Sequence, residues 1–216
     1  MLLTTTTPAI QQEASAATPA TIDVFAIGSQ PLSARHKGHI RIRRSRLNVL
    51  AGHVATVNGT LRPHTGGLRV ALRALHGRHW VPVAHATTGA RGRFRLRYEP
   101  KATGSWRIQV RIHGNGAITP SKVRLGRLSA YRLADASWYG GGGETACGSE
   151  LTSATMGVAN KTLPCGTPVT LRYHGHTVTV PVIDRGPYVE GREYDLTEAT
   201  KQALGFEGVA EVWATR

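Results

Sequence analysis

The chain has 216 residues, with 27 Lys+Arg against 13 Asp+Glu and only two cysteines. That length suits one medium or two small domains with cores of their own, and an apolar fraction of 40% with 19% charged residues is globular rather than disordered. No run of about 18 apolar residues offers a spanning helix, and two thiols exclude a disulfide-framework miniprotein and a four-thiolate zinc site while allowing one bridge.

The charge is unevenly divided. Residues 1–135 carry 21 Lys+Arg and 4 Asp+Glu, whereas residues 136–216 carry 6 and 9. A basic front half before a slightly acidic back half argues for two units with different jobs.

Residues 1–35 are rich in Thr, Ala and Ser, without periodicity and without Lys or Arg before Arg35. This is the texture of a linker or leader. Ala14-Ser15-Ala16-Ala17 resembles the small-residue end of a secretory leader, but the charged and apolar regions that belong before it are missing. The expectation is a disordered leader or linker, in the exported case a signal peptide whose true start lies upstream.

Residues 36–132 are expected to form an immunoglobulin-like β-sandwich. Strands are expected at Ile40–Leu50, His53–Leu61, Leu68–Leu75, Trp80–Ala86, Phe94–Tyr98, Trp106–Ile112 and Val123–Leu128. Turn signals accompany them: Asn58-Gly59, Gly66-Gly67, His76-Gly77, Gly89 with Gly92, Gly104, and Gly114 with Gly116. Phe94, Leu96 and Tyr98 share one face against Arg93, Arg95 and Arg97, and Ile108, Val110 and Ile112 oppose Arg107, Gln109 and Arg111. A period of two with one apolar face marks half-buried antiparallel strands.

Residues 135–216 read differently. Gly140–Gly143 are four consecutive glycines, and Val169–Tyr173 and His176–Ile183 alternate around His174-Gly175 as a hairpin. Pro168 precedes the first of these strands, where a missing N–H is tolerated. Thr197–Leu204 is the one convincing helix, with Thr197 as cap, Glu198 at the positive end and Gly205 as terminator. Val209–Ala214 closes the chain as a strand. Short strands, one short helix and many glycines suggest a small barrel, which makes the whole chain mainly β.

Five motifs stand in order in this half: Ala136-Ser137-Trp138-Tyr139-Gly140, Lys161-Thr162-Leu163-Pro164-Cys165-Gly166-Thr167, Asp184-Arg185-Gly186-Pro187-Tyr188, Gly191-Arg192-Glu193-Tyr194-Asp195-Leu196-Thr197 and Leu204-Gly205-Phe206. In order and spacing they resemble the six-stranded double-psi β-barrel of the RlpA family of septal-ring lytic transglycosylases, a fold shared with expansins. The resemblance implies an exported, cell-wall-associated protein with a peptidoglycan glycan strand lying in an open groove. It also implies cleavage of the MurNAc–GlcNAc β-1,4 bond without water, the C6 hydroxyl of MurNAc attacking its own anomeric carbon. That chemistry calls for no cofactor and no metal. One carboxylic acid can protonate the leaving oxygen and then, as carboxylate, accept the C6 hydroxyl proton; a hydrolase usually needs a second.

Three carboxylates are candidates for catalysis. Asp184 ends an alternating strand and opens Arg-Gly-Pro. Asp195 lies eleven residues on, before the helix cap, where related barrels of the expansin clan carry their acid. Glu150 follows the glycine loop, where the family carries a Glu. The competing reading for each is a carboxylate that satisfies backbone N–H groups in a tight loop. Tyr139, Asn160, Arg185 and Tyr188 are candidate sugar contacts, with Trp138 a further aromatic; the alternative for aromatics at strand ends is a place in the core. Asn160 departs from the family's Ala-His-Lys-Thr-Leu-Pro, here Ala159-Asn160-Lys161-Thr162-Leu163-Pro164. An amide can bind a sugar or orient a carboxylate, but it cannot take a proton. A non-catalytic, expansin-like wall-binding module is therefore the rival reading.

Cys147 and Cys165 are paired in similar sequences with Thr-Ala-Cys-Gly and Leu-Pro-Cys-Gly, so the resemblance implies a bridge, which suits an exported protein. His174 and His176 flank a turn and read as solvent-facing rather than as metal ligands. The basic sandwich either holds an anionic wall polymer by long-range attraction or presents a solvated arginine face. No helix-turn-helix, RNP or zinc-finger spacing accompanies the charge, which argues against nucleic acid.

Overall fold

A computed structural model describes residues 35–216, which form one compact unit. The expected leader falls almost wholly on residues 1–34, outside the described residues. Among the described residues no helix is long and apolar enough to cross a membrane.

In chain order the elements are β1 (His36–Lys37), β2 (His39–Arg46), β3 (Asn48–Leu50), β4 (Ala55–Arg62), β5 (Arg69–His76), β6 (His79–Thr87), β7 (Arg93–Tyr98) and β8 (Gly104–Ile112). Then come β9 (Ile118–Thr119), β10 (Ser121–Tyr139), β11 (Gly143–Glu144), β12 (Glu150–Leu151), β13 (Val158–Ala159), β14 (Pro168–Tyr173) and β15 (His176–Asp184). β16 (Tyr194–Thr197), the helix α1 (Glu198–Leu204) and β17 (Ala210–Ala214) complete the chain.

The front part is two sheets over one core. β2, β4 and β7 form an antiparallel three-stranded sheet. The first part of β10 continues through β8 and β5 to β6 in the other. Val57, Leu61 and Leu96 from the first sheet pack with Val70, Leu72, Ile108 and Val110 from the second, all buried. The alternation Arg93–Tyr98 behaves as its pattern demands, with Phe94 and Leu96 buried and the three arginines exposed.

Asn58-Gly59 corrects an expectation. It is not a turn but the middle of β4, where Gly59 pairs with Phe94 on one side and Ile42 on the other. A Cβ on Gly59 would stand 2.4 Å from the Phe94 ring and 2.8 Å from the Arg41 carbonyl oxygen. The glycine is there for close approach rather than for a bend.

The back part is a closed barrel. Around its circumference the strands run β16, β13, β15, β14, β17 and β10, and β10 pairs with β16 to close the ring. Pairings β13–β15 and β10–β16 are parallel and the other four antiparallel. Six strands closed in this way agree with the double-psi barrel that the motifs imply. Val158, Val169, Leu171, Val180, Val182, Leu196 and Val212 fill the interior with Tyr194 and Phe206, all essentially buried. The hairpin turns at His174-Gly175, both with positive φ (43° and 97°), which suits a two-residue connection. Helix α1 starts on Thr197, whose hydroxyl accepts from the Thr200 N–H, and ends on Gly205 in the left-handed conformation.

One element belongs to both parts. β10 pairs with β8 and β3 over Ser121–Tyr131, then with β17 and β16 over Arg132–Tyr139. It crosses the expected boundary at 133–134 without interruption.

Candidate active site

Register sets the site. In β13, Ala159 is opposite Asp184 of β15 on one side and Asp195 of β16 on the other. Asp195 in turn is opposite Ser137 of β10. The two aspartates therefore flank one small residue on a single rung, their backbones two strand spacings or about 10 Å apart. Ala159, with its short side chain, floors an open cleft of about 170 Å³ lined also by Tyr139, Asp184, Arg185, Tyr188, Arg192 and Asp195. Pro187 and Val189 complete its rim.

The two carboxylates sit in different environments. Asp184 Oδ1 accepts the Ala146 N–H at 2.9 Å and the Arg185 N–H at 2.8 Å. Two backbone donors fix the orientation of this carboxyl group. Asp195 is half-buried, and burial raises its pKa above the ordinary aspartate range; the nearby charge of Asp184 adds to this. The Ser137 hydroxyl, donating at 2.9 Å to Asp195 Oδ1, and Arg192 oppose the rise. A half-buried carboxyl that keeps its proton to higher pH thus stands beside one oriented by backbone donors.

Tyr139 completes the cleft's polar wall. Its hydroxyl is buried beside the Asp184 carboxyl. Burial and the neighbouring charge of Asp184 hold its pKa far above the usual phenol range, so it remains a proton donor. Tyr188 is 82% exposed at the rim, free to lie against a sugar face.

The other expected site residues have different surroundings. Asn160 is buried, with Oδ1 accepting the N–H groups of Thr162 (3.1 Å) and Leu163 (2.8 Å) and Nδ2 donating to the Glu193 carbonyl (3.1 Å). Its amide organises the loop after β13. The Arg185 guanidinium donates to the carbonyls of Leu163 (3.0 Å) and Asn160 (3.2 Å), pinning the same loop while its stem lines the cleft. Glu150 is exposed in the small β11–β12 hairpin and is not part of the cleft lining. Trp138 stands outside the lining, with the Lys201 ammonium 3.8 Å over its ring.

Cys147 and Cys165, 18 positions apart in the sequence, form a disulfide. It ties the β11–β12 loop to the loop after Pro164. Cys147 also donates its N–H to the Ile183 carbonyl at 3.2 Å, immediately before Asp184. The bridge thus braces the backbone that supplies the Ala146 donor.

Ser137 and Arg192 were not among the expected site residues. Both lie inside motifs already visible in the sequence, but only the β10–β16 register reveals that Ser137 faces Asp195. His174 and His176 are exposed across the hairpin turn, as read from the sequence.

Residues 133–213 match a family model described as lytic transglycolase. Over 75 residues the chain is 43% identical to a probable endolytic peptidoglycan transglycosylase RlpA of Aquifex aeolicus, covering 32% of this chain and 33% of the relative. A protein of the same description from Synechocystis is 39% identical over 109 residues, 43% of this chain and 34% of the relative. The endolytic peptidoglycan transglycosylase RlpA of Neisseria meningitidis is 40% identical over 85 residues, 36% of each chain. The chain thus spans about a third of the length of the curated relatives it matches. Among solved structures, the Streptomyces papain inhibitor aligns over 94% of its own chain and 40% of this one, at 24% identity and a TM-score of 0.33. Over residues 133–213 the chain is therefore similar to the RlpA lytic transglycosylases, and its closed six-stranded barrel agrees with a double-psi fold.

Proposed function

We propose that the barrel, residues 135–216, is a lytic transglycosylase acting on peptidoglycan glycan strands. The observation that carries this reading is the half-buried Asp195, with its raised pKa, on one rung with Asp184 in an open cleft. Protonated Asp195 donates to the glycosidic oxygen as the bond from MurNAc C1 to GlcNAc O4 breaks. The MurNAc C6 oxygen then bonds to C1, and its proton passes to the Asp195 carboxylate. The acid is regenerated and no water is consumed. Asp184, held in place by two N–H donors, faces the positive charge that develops at the anomeric carbon. Tyr188, exposed at the rim, binds the sugar by stacking, and Tyr139 walls the cleft beside Asp184.

Purified sacculi digested with the protein should release 1,6-anhydromuropeptides detectable by mass spectrometry. Asp195→Asn should lower product by about 10²–10⁴-fold, the usual range for a lost general acid. Reducing MurNAc ends would indicate a hydrolase and refute the mechanism, and so would full activity in both Asp195→Asn and Asp184→Asn.

One observation favours a second reading. The position where relatives carry His holds Asn160, whose amide is committed to its own loop. An expansin-like module would then bind glycan without cleaving it, giving sedimentation with sacculi but no anhydro product. In either case the disulfide supports an exported, wall-associated protein. The immunoglobulin-like sandwich, residues 36–132, would be its anchor on an anionic wall polymer.

A further inference from the structure

We propose that the outer face of the β2–β4–β7 sheet is a built furrow for a linear polyol phosphate, which lies along β4 between two rows of arginine.

The furrow follows from register. Arg41 and Arg93 flank Thr60, Arg44 and Arg95 flank Asn58, and Arg46 and Arg97 flank Thr56. Three successive rungs thus carry arginine on both outer strands and a small polar side chain on the central one. All six arginines are exposed, and among the described residues none takes part in an ion pair. The β2 bulge between Ile42 and Arg44 inserts Arg43 as a further exposed cation. Between residues 35 and 132 the chain has one carboxylate, Glu99, and that is paired with Lys101.

The shape matches the charge. The rows stand about 10 Å apart, and rungs recur every 6.8 Å or so along the strands. Two contiguous hollows of about 610 and 670 Å³ occupy this face and share Asn58 and Arg95. One of them continues onto Arg172 and Trp213 of the barrel. Like charges arrayed on one sheet repel each other and destabilise the compact state. A solvated arginine face would need carboxylates interspersed to relieve that repulsion, and this one has none.

The floor identifies the occupant. Guanidinium groups bind phosphate oxygens by paired hydrogen bonds. Thr56, Asn58 and Thr60 offer hydroxyl and amide groups suited to polyol hydroxyls. Base stacking on single-stranded nucleic acid needs a row of exposed aromatic platforms, whereas of the two rings in this sheet Phe94 is buried and Tyr98 is half-buried against the core, and the half-buried Trp213 at the end of one hollow stands alone. A flexible phosphodiester chain with three-carbon linkers repeats its charge on the scale of the rungs. The inference rests on the reading of the protein as wall-associated, but its test uses binding alone and is independent of cleavage.

The full chain would be titrated with poly(glycerol phosphate) at several salt concentrations and compared with Arg44→Gln/Arg95→Gln. A control of equal charge, Arg107→Gln/Arg124→Gln, removes two exposed arginines from the opposite sheet. The furrow variant should bind about tenfold or more weakly, and its slope of log K against log[salt] should fall by about 1.4, roughly 0.7 per lost contact. The control should lose less than about threefold through general charge. Equal losses in both variants, or no binding by the parent protein, would overturn the proposal. So would tighter binding of polyadenylate than of the polyol phosphate, which would assign the face to nucleic acid.

Discussion

Removing the disulfide tests whether the bridge supports the chemistry as well as the fold. Closing a loop of 18 residues restricts the unfolded chain enough to stabilise the native state by about 3 kcal/mol in the chain-entropy treatment. For a chain of this size, about 2–4 °C of Tm per kcal/mol gives a fall of about 6–12 °C in Cys147→Ala/Cys165→Ala. The second effect is local. Ala146, next to Cys147, donates its N–H to Asp184 Oδ1. With the loop unbraced, that donor no longer holds the carboxylate, and misplacing a reacting group by about 1 Å costs up to about a hundredfold in rate. The assay is release of anhydromuropeptide at a temperature where circular dichroism shows both proteins folded, beside thermal denaturation followed by the same signal. A Tm fall with an undiminished rate would show that the bridge does not position Asp184. A fall of less than about 3 °C would refute the stability argument.

Three further outcomes follow from single contacts. Ser137→Ala removes the donor that favours ionised Asp195, so the alkaline limb of the pH–rate profile should move to higher pH; an unmoved limb would remove Asp195 as the titrating acid, and a ¹³C titration of its carboxyl gives the same reading without turnover. Because the folded state holds the Asp195 proton more tightly than the unfolded chain, stability should decline as pH rises through the carboxylate range, and Asp195→Asn should abolish that part of the slope in denaturant titrations. Gly59→Ala presses a methyl into the Phe94 ring and should cost about 1–3 kcal/mol, partly recovered with Phe94→Leu; additive losses in that pair would mean that the ring is not the obstacle.

Local physics was legible wherever a segment's own pattern determines its structure. The alternation in Arg93–Tyr98, the His174-Gly175 hairpin and the helix between Thr197 and Gly205 each carry their instructions in a few neighbouring residues. Asn58-Gly59 carries a turn signature too, but the strands on either side and the Phe94 ring override it, which no local window reveals. The two aspartates were legible as candidates because they fall in ordered motifs. Their difference in environment was not, since it arises from partners 38 and 58 residues away, Ala146 and Ser137. For the same reason Asn160 and Arg185 read as sugar contacts, although their polar groups are engaged by one loop. Glu150 has the expected position in the motif, but the hairpin presents it to solvent.

The continuity of β10 has a practical consequence. Its first half is a rung-bearing neighbour of β8 and its second half a stave of the barrel, so no severable hinge separates the basic sheets from the cleft. Swinging one against the other would require peeling the strand from a partner, and excising the front part would leave the barrel with a frayed stave. Any ligand held on the basic sheets would therefore stand at a fixed offset from the cleft, set by the length of one unbroken strand.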